Sequence, residues 1–329
     1  KRMDEDTKKY LLSFEYGEMQ HFKKMGVLPL LSSLNHEPEY STLKRSLGET
    51  GLIISEVSQE GSVSELKVAN KADIPVLLLD GEELTGAKQN RVLNTTILLK
   101  EKSETVIPVS CTEQRRWAYV SKEFSDSGTV MIPKIRVMKS RSVSNTLADS
   151  QQFLSDQGTV WTAIDEMSGE ADVSSQTGAM KDVFEARKSD IEEYLKTFTC
   201  IPQQRGLFTF MNGRVVGFDF VSFEKAYQTL HPKLVKSYAM EALLSKERNP
   251  EKPDQKKAKE CMKKALKCSH KKYRSVGKGW DFRFECESIV GSALKVGKKV
   301  IHMAFFTITE SEKAGEIAGY RRRRGFRTT

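Results

Sequence analysis

Short apolar runs separated by Gly, Asn, Ser and Pro fill the first third of the chain. Apolar or alternating runs of this length are typical of β-strands. Because no long helical pattern separates most of them, antiparallel pairing is favoured over a parallel, doubly wound sheet. The pattern predicts strands at residues 10–14, 26–31, 51–57, 64–68, 75–79, 95–99 and 105–109, with a short helix at 38–47.

Helical spacing takes over in the second half of the chain. Residues 114–175 are polar and Ser-rich, which predicts a connecting region with one short helix at 144–154. Apolar residues at helical spacing then predict an amphipathic helix that ends near Phe198. A further helix at 222–244 is expected to be interrupted at Pro232, because proline lacks the amide donor that a helix interior needs.

A hairpin, a lysine-rich helix and a final group of strands complete this half. Asn212 and Gly213 lie between two apolar runs, and this pair readily supplies the two positive-φ residues of a tight turn. The segment 254–268 predicts a helix with one apolar face. The last strands are predicted at 281–288, 292–296 and 299–308, with Gly297-Lys298 at a hairpin tip.

Together these elements predict an α+β fold, with an extensive, mainly antiparallel β-sheet and several packed helices. We divide the chain into a β-rich N-terminal half (1–113), a polar connector with a short helix (114–175), an α/β C-terminal half (176–308) and a basic tail (309–329). The two halves are expected to pack as one compact unit, since 329 residues with 38% hydrophobic content suffice for one large core.

The formal net charge of +9 is concentrated in two segments. Residues 254–278 contain ten Lys and Arg against two acids, and residues 319–329 contain five Arg and no acid. The rest of the chain is therefore mildly acidic. Nucleic-acid binding is one interpretation, through the stretch from Lys256 to Lys278 and the run from Arg321 to Arg324. A solvated helix face and a frayed chain end is the other.

Hydropathy and cysteine content predict a cytoplasmic protein without membrane association. No apolar run approaches the roughly 20 residues of a membrane span, and the first residues lack the apolar core of a signal peptide. Five cysteines, an odd number without a compact framework, suit a reducing compartment, so disulfides are not expected. Cys261, Cys268, His270, Cys286 and His302 lack the close spacing of structural zinc sites, and we expect no metal site and no cofactor.

Three polar segments follow apolar runs and are the main candidates for a binding site: 80–91 (DGEELTGAKQNR), 107–117 (IPVSCTEQRRW) and 201–206 (IPQQRG). Their ionic and amide side chains cannot all be buried unpaired. If the strand ends are neighbours, the segments form one pocket, where Arg side chains hold phosphate or carboxylate and Trp117 offers a stacking face. A buried network of ion pairs and amides that holds the loops in place is the alternative.

Glu82 and Glu83 are the candidate catalytic residues. Adjacent residues of an extended chain point to opposite faces, so one of them would act alone rather than as half of a facing acid–base pair. Asp80 and Glu82 would share a face, but such carboxylates usually pair with Lys or Arg rather than hold a cation. Cys111 is expected to be small buried volume rather than a nucleophile.

The motifs LLLDGEELTGAKQNRVLNTT, IPVSCTEQRRW and QQRGLFTFMNGRVVGFDF resemble, in this order, those of a family of uncharacterised domains. That family is named for association with ADP-ribosylglycohydrolases and rhodanese-phosphatases, and the resemblance spans residues 11–308. It implies a role near ADP-ribose or NAD metabolism. Arg115 stands where the family pattern favours a glycine. The family's site motif falls on Glu82, Glu83, Lys88, Gln89, Asn90, Arg91, Glu113, Trp117, Gln204 and Gly206.

We therefore expect a site for an ADP-ribose-like or other phosphorylated ligand, in an enzyme or an accessory factor. Lys88 and Arg91 would hold the anion, and Trp117 would stack. Glu82 or Glu83 would transfer any proton. The other ligand-binding candidates are Gln89, Asn90, Glu113, Arg116, Gln204 and Arg205. The alternatives are a nucleic-acid or ribonucleoprotein binding module and a protein-interaction scaffold.

Overall fold

The computed structural model describes residues 3–34, 38–49, 51–247 and 251–309. The Arg-rich run from Arg321 to Arg324 lies outside these residues. Within them the chain forms eight helices and eighteen strands, about 32% helix and 35% strand, in mostly antiparallel sheets. The predicted α+β fold is confirmed. No helix in the described ranges is long and apolar enough to cross a membrane.

The helices occur in four places along the chain, separated by groups of strands. The eight are α1 (Glu5–Leu12), α2 (Leu43–Glu49), α3 (Pro133–Ser150), α4 (Gln157–Glu170), α5 (Met180–Ala186), α6 (Lys188–Thr197), α7 (Glu224–Leu244) and α8 (Gln255–Ala265). The longest, α7, packs against strands of the largest sheet and also against a strand of the second sheet. It therefore lies between sheets and contacts more than one of them.

The strands form three sheets, and β4 with β7 is the one parallel pair among the described strands. The nine-stranded sheet has the order β1-β3-β13-β14-β18-β17-β16-β15, with β2 beside β3. Its strands are β1 (Phe14–Tyr16), β2 (Gln20–Phe22), β3 (Met25–Ser32), β13 (Gln204–Met211), β14 (Arg214–Val221), β15 (Ser269–Arg274), β16 (Trp280–Cys286), β17 (Ile289–Val296) and β18 (Lys299–Thr307).

The two smaller sheets come from the segment between residues 41 and 130. The three-stranded sheet has the order β10-β7-β4, and the six-stranded sheet has the order β12-β8-β9-β11-β6-β5. Their strands are β4 (Ser41–Thr42), β5 (Leu52–Glu56), β6 (Glu65–Asn70), β7 (Val76–Leu78), β8 (Glu82–Gly86), β9 (Arg91–Leu93), β10 (Ile97–Leu99), β11 (Ser103–Cys111) and β12 (Phe124–Val130).

The nine-stranded sheet is covered on both faces, and successive side chains of its strands enter different cores. Leu207 lies in the same core as Leu234 of α7, whereas Phe208 lies in a second core with Leu11 of α1 and Ala258 of α8. This alternation is the period-2 pattern of a strand with two buried faces. It explains why β13 is buried throughout its length.

The hairpin at Asn212-Gly213 forms as predicted. Both residues have positive φ, 50° and 71°, and Met211 pairs with Arg214 across the turn. The tip at Gly297-Lys298 is also confirmed, with β17 and β18 joined at that point. In these two places local turn chemistry decides the structure.

The predicted strand at 10–14 is wrong in its first part, because residues there belong to α1. Asp4 caps this helix, since its carboxylate accepts a 2.9 Å hydrogen bond from the backbone N–H of Thr7. The strand begins only at Phe14. Here the capping signal outweighs a short apolar run.

The predicted interruption at Pro232 is also wrong, because α7 runs through it without a break. Tyr227, Leu234 and Tyr238 on this helix are each 0% exposed. Burial of these large side chains offsets the hydrogen bond that the proline removes, since helices in proteins are stabilised mainly by packing. The single amphipathic helix expected before Phe198 is instead divided at Arg187 into α5 and α6.

The stretch predicted as a connector with a short helix at 144–154 contains two full helices. Of these, α3 begins at Pro133, well before the predicted start. Its buried face includes Arg136, Lys139 and Ser140, so the apolar periodicity that reveals a helix is interrupted by polar residues. The boundaries of the four proposed regions remain a prediction.

Candidate functional site

The segment that follows β7 turns sharply before it enters β8. Gly81 has φ +86°, and the backbone N–H of Glu82 donates to the carbonyl of Leu79 at 3.1 Å. A Cβ at Gly81 would lie 3.3 Å from the side chain of Arg136, so glycine is required both by its backbone angle and by this close approach. The turn places Asp80 and Glu82 against α3 and α7.

The acidic half of this segment is buried and paired with cations from those helices. Lys139 donates to Asp80, and Lys233 donates to Glu82 at 2.5 Å. Lys233 also binds Asp126 at 2.7 Å. Burial lowers the pKa of Lys233, but the two carboxylates raise it by more, so the lysine stays charged. We call these pairs, with the Arg136–Asp219 pair, the buried ion-pair network.

Arg136 and Asp219 connect this network to the nine-stranded sheet. The guanidinium donates two hydrogen bonds of 2.9 and 2.7 Å to the carboxylate, and both side chains are fully buried. Tyr238 adds a third donor to Asp219 at 2.8 Å. Burial alone would raise the pKa of Asp219, but the charge and hydrogen bonds of Arg136, helped by His302, hold it well below its usual range.

The sequence interpretation did not identify the cations of this network or Asp219. Asp219 stands between Phe218 and Phe220 in an apolar strand, and a lone charge in such a position needs a partner. The position of Asp219 therefore indicates that it has a cationic partner, but the sequence does not show that this partner is Arg136. The partners come from α3 and α7, which are distant in sequence.

Glu83 points away from Glu82 and meets hydroxyl groups instead of cations. Thr112 donates to one carboxylate oxygen at 2.7 Å, and Thr129 donates to the other at 3.2 Å. Burial raises the pKa of Glu83 to about 7, and these hydrogen bonds only partly oppose the shift. This carboxyl is therefore expected to change its protonation state near neutral pH.

The basic half of the same segment lies beside exposed aromatic rings. The Nζ of Lys88 is 5.4 Å from the Trp117 ring centre and 5.1 Å from that of Tyr119. The guanidinium carbon of Arg91 is 5.5 Å from the Trp117 ring centre. Trp117 and Tyr119 are 47% and 50% exposed. We call Lys88, Arg91, Trp117 and Tyr119 the Lys88–Trp117 cluster.

The loop of residues 57–64, between β5 and β6, covers this cluster through its backbone carbonyls. Lys88 donates to the carbonyl of Glu60 at 2.7 Å, and Arg91 donates to that of Ser62 at 3.2 Å. Tyr119 donates to the carbonyl of Gln59, also at 3.2 Å. The cations of the cluster are thus bound mainly by neutral oxygens.

Two buried polar atoms beneath this loop have no hydrogen-bond partner among the described residues. Arg91 is 0% exposed, and in the part of the chain that the structure describes its Nε has no hydrogen-bond partner. The same holds for Oε2 of Glu56, whose other oxygen lies 3.8 Å from the Arg91 guanidinium. An unpaired buried donor is unfavourable by about 1–3 kcal/mol, so an added acceptor would be stabilising there.

The remaining candidates of the first two segments form the support of the cluster. Arg116 binds Glu113 with two hydrogen bonds, of 2.9 and 2.6 Å, and also donates to the Asn90 side chain at 3.2 Å. Gln89 accepts from Arg91 at 3.3 Å. Burial raises the pKa of Glu113, but the hydrogen bonds from its neighbours, Arg116 first, outweigh it and the net direction is downward.

The third predicted segment lies in a different part of the fold. Gln204 and Arg205 are on β13 of the nine-stranded sheet. Gln204 donates to the Tyr227 hydroxyl at 2.9 Å, and Arg205 donates to the carbonyl of Leu34 at 2.9 Å. The structure therefore brings the first two segments together and gives the third other partners.

A cavity of about 200 Å³ lies near the start of α3 and the end of α7, and it is lined by other residues than the predicted set. Its walls include Val137, Met211 and Glu241. Ligand pockets usually measure about 300–1,000 Å³, so this cavity is small for a nucleotide-like molecule. The Lys88–Trp117 cluster, with its two exposed aromatic rings, remains the candidate site.

Metal binding and cysteine nucleophilicity find little support in the geometry. Within residues 3–309, leaving aside 35–37, 50 and 248–250, no group of three or more His, Cys, Asp or Glu is arranged to hold a metal ion. Burial raises the pKa of Cys111 to about 11, although Arg91 opposes the shift. A thiol in this state is a weak nucleophile.

Comparison with known protein families matches residues 13–306 to the ARPP-1 domain, the ARG and Rhodanese-Phosphatase-superfamily-associated Protein domain. The match confirms the resemblance seen in the three motifs. Comparison with curated proteins gave no match, and neither did comparison with solved structures. Because the matched region covers most of the 329 residues, the chain belongs to the ARPP-1 domain family.

Proposed function

We propose that the Lys88–Trp117 cluster binds an ADP-ribose-like or other phosphorylated nucleotide ligand. The observation that carries this proposal is an exposed Trp117 ring with two cations, Lys88 and Arg91, within 5.5 Å of its centre. An exposed indole offers a stacking face for a base, and cations beside it suit a phosphate group. The Trp117 and Tyr119 rings would hold the base while Lys88 holds the anion.

Binding of the anion would compete with the loop of residues 57–64. Lys88 and Arg91 now donate to the carbonyls of Glu60 and Ser62. A phosphate oxygen carries charge and accepts stronger hydrogen bonds than a neutral carbonyl does. The ligand would therefore replace these carbonyls, and access to the fully buried Arg91 requires the loop to move outward.

The name of the family suggests which ligand class to test first. Its name refers to association with ADP-ribosylglycohydrolases and rhodanese-phosphatases, which is a hint about context and gives no ligand. ADP-ribose combines an adenine ring with a diphosphate, which are the two features that the cluster is suited to bind. It is therefore the first probe to use.

Glu83 is the better candidate of the two glutamates for proton transfer. Its pKa of about 7 is suited to accepting and returning a proton near neutral pH, whereas Glu82 is bound to Lys233. Both carboxylates are 0% exposed, so a reaction at Glu83 would require strand β8 or the adjoining loop to open. We propose binding as the primary activity and proton transfer as dependent on that opening.

Isothermal titration calorimetry with ADP-ribose tests the proposal. Lys88→Ala and Trp117→Ala are each expected to weaken binding about tenfold, because each removes an interaction of roughly 1–2 kcal/mol. Lys67→Ala is the matched control, since Lys67 forms an exposed ion pair with Glu104 elsewhere on the six-stranded sheet. Adenosine, which lacks phosphate, should lose affinity with Trp117→Ala and be unaffected by Lys88→Ala.

Two results would overturn the proposal. One is the absence of heat and of thermal stabilisation with ADP-ribose, ADP and NAD at millimolar concentration. The other is binding that neither Lys88→Ala nor Trp117→Ala alters. In both cases a role as a protein-interaction scaffold would become the leading hypothesis.

A second candidate, single-stranded nucleic-acid binding, is favoured by one specific observation. Trp280 is 38% exposed, and Lys272 and Arg274 lie 5.1 and 5.3 Å from its ring centre. These cations are on β15, the last strand in the order of the nine-stranded sheet, and β15 follows the lysine-rich helix α8. Strand pairing thus places Trp280 of β16, an aromatic stacking platform, beside the basic stretch.

Fluorescence anisotropy with a labelled oligouridine at two salt concentrations tests this candidate. Trp280→Ala and Lys272→Glu should weaken binding, with the effect of Lys272→Glu larger at low salt. Lys196→Glu, at an exposed position of α6, is the control. Binding that is insensitive to Trp280→Ala would contradict a stacking role.

A further inference from the structure

Three of the five cysteines meet where α8 ends and β15 begins. The Sγ atoms of Cys268 and Cys286 lie 3.8 and 3.9 Å from the same backbone oxygen, that of Lys264. After burial, the neighbouring Cys286 is the next cause of the raised pKa of the Cys268 thiol. Cys261, one helical turn before Lys264, completes the group. Residues that are 18 positions apart in sequence are therefore side by side.

The strand register accounts for this proximity. Ser269 pairs with Glu285 in the antiparallel ladder of β15 and β16, so Cys268 and Cys286 occupy the next opposite positions. Opposite residues in such a ladder have Cβ atoms about 4.5–5.5 Å apart. A disulfide needs about 3.5–4.5 Å, so a small adjustment at the end of the ladder is sufficient.

The sulfurs of Cys268 and Cys286 differ in their exposure to solvent, and this difference indicates which of them reacts first with an oxidant. Cys286 is half-buried, whereas Cys268 is 0% exposed. Burial raises the pKa of the Cys268 thiol, and the neighbouring Cys286 raises it further, so Cys268 keeps its proton, which it donates to the carbonyl of Lys264. Cys286 is the sulfur that a small oxidant can reach.

We propose that Cys268 and Cys286 form a dithiol that hydrogen peroxide oxidises to an intrachain disulfide. In the first step the Cys286 sulfur attacks peroxide, an S–O bond forms, the O–O bond breaks and water leaves, which gives a sulfenic acid. In the second step the Cys268 sulfur attacks the Cys286 sulfur, and the hydroxyl leaves as water with the Cys268 proton. Overall, two thiols and one peroxide give one disulfide and two waters.

Cys261 is assigned no part in this reaction. It is 6% exposed on the apolar face of α8, among Ala258, Met262 and Ala265. Burial raises its pKa to about 12, which leaves it a thiol. The resting protein has five free cysteines, so the bridge is a product of oxidation and not a feature of the folded chain at rest.

Peptide mapping by mass spectrometry of the intact, peroxide-treated protein tests the proposal. Wild type is expected to lose two of five titratable thiols and to yield a peptide pair linked through Cys268 and Cys286, with all five thiols restored by a reducing agent. Cys268→Ser should stop at the sulfenic acid on Cys286, which dimedone labels. Cys286→Ser should keep its four thiols under the same treatment.

Cys200→Ser is the matched control, because Cys200 is also half-buried but lies alone beside the carbonyl of Ile201. It should still lose two thiols. Peroxide-treated wild type that retains all five thiols, or that is bridged through Cys261, Cys111 or Cys200, would overturn the proposal. The mapping of wild type needs no substitution, so misfolding of a variant does not affect this outcome.

Discussion

The two halves of the segment 80–91 are close in sequence but have opposite environments. The acidic half enters the buried ion-pair network, where Asp80 and Glu82 each contact a lysine from a helix. The basic half forms the Lys88–Trp117 cluster, where Lys88 is held by a backbone carbonyl under exposed aromatic rings. A charge that has an opposite charge as its partner is already neutralised. A cation held by neutral oxygens still attracts an anion.

Because the charges of the two halves have different partners, we expect the acidic half to contribute to folding stability and the basic half to contribute to ligand binding. Removal of one partner from a buried pair leaves an uncompensated charge in a dry environment, which is strongly destabilising. Loss of the partly exposed Lys88 removes one hydrogen bond to a carbonyl and two contacts with exposed aromatic rings, and it leaves no buried charge unpaired. We therefore expect substitutions in the network to change folding and substitution of Lys88 or Trp117 in the cluster to change ligand affinity.

The largest expected effect is that of Asp219→Ala in the network. Arg136 would remain fully buried without its carboxylate, and the free energy of unfolding should fall by about 3–5 kcal/mol. Urea denaturation monitored by circular dichroism measures the change. Glu104→Ala, which breaks an exposed pair with Lys67, should change it by less than about 1 kcal/mol. Equal effects of the two substitutions would contradict the assignment of the network.

The second effect concerns pH and Glu83. The pKa of this carboxyl is raised from 4.5 to about 7 in the folded protein, so between these values the folded state holds a proton that the unfolded state has released. The free energy of unfolding should therefore fall as pH rises from about 4 to about 8, by about 3 kcal/mol in total.

Glu83→Gln should abolish this contribution, since the amide does not titrate. Melting temperatures of wild type and variant, measured from pH 5 to pH 8, would show it as a loss of slope. Glu104→Gln, at an exposed site, is the control and should keep the wild-type slope. A variant that retains the slope would show that another group is responsible.

A smaller effect is expected for Gly61→Ala in the covering loop. Gly61 has φ +77°, and a Cβ there would lie 3.2 Å from both Glu56 and Lys88 and 3.4 Å from Trp117. Strain of this kind is unfavourable by about 1–2 kcal/mol. Gly48→Ala is the matched control, because a Cβ at Gly48 meets nothing within 4 Å and lies in α2, where alanine should stabilise. Opposite signs in thermal denaturation are therefore expected.

The smallest effect on stability is expected for Lys88→Ala. Its side chain donates one hydrogen bond to a carbonyl, so the free energy of unfolding should change by about 1 kcal/mol or less. Lys139→Ala, in the network, should change it several times as much, because Asp80 would lose its cation. If the two lysines proved equally important for folding, the contrast between the two halves of the segment would be lost.

Local signals in the sequence predicted much of the fold. The Asn212-Gly213 turn was found because that pair has a defined backbone preference, and most strands were found because their apolar runs are short and punctuated. The helix α3 was missed because Arg136 and Lys139 interrupt its buried face. These two buried cations pair with carboxylates of other elements, so α3 lacks the continuous apolar face from which a helix is predicted.

The candidate site was predictable only in part, for a related reason. The two segments around Lys88 and Trp117 do come together, since β8, β9 and β11 are neighbours in one sheet. Sequence spacing gave no means to see that Gln204 donates to Tyr227 in another sheet, or that Lys233 binds Glu82 across 151 positions of chain. Such long-range partners are chosen by the packing of whole elements.

The loop of residues 57–64 has a consequence for any affinity measured at the cluster. Its carbonyls bind Lys88 and Arg91, so on the proposed mode of binding the binding-competent conformation is only a fraction of the population. The apparent dissociation constant is then the intrinsic one divided by that fraction. A substitution that favours the open loop and leaves Lys88 and Trp117 undisturbed should therefore tighten binding, by up to about tenfold for every 1.4 kcal/mol or so of added preference for the open form.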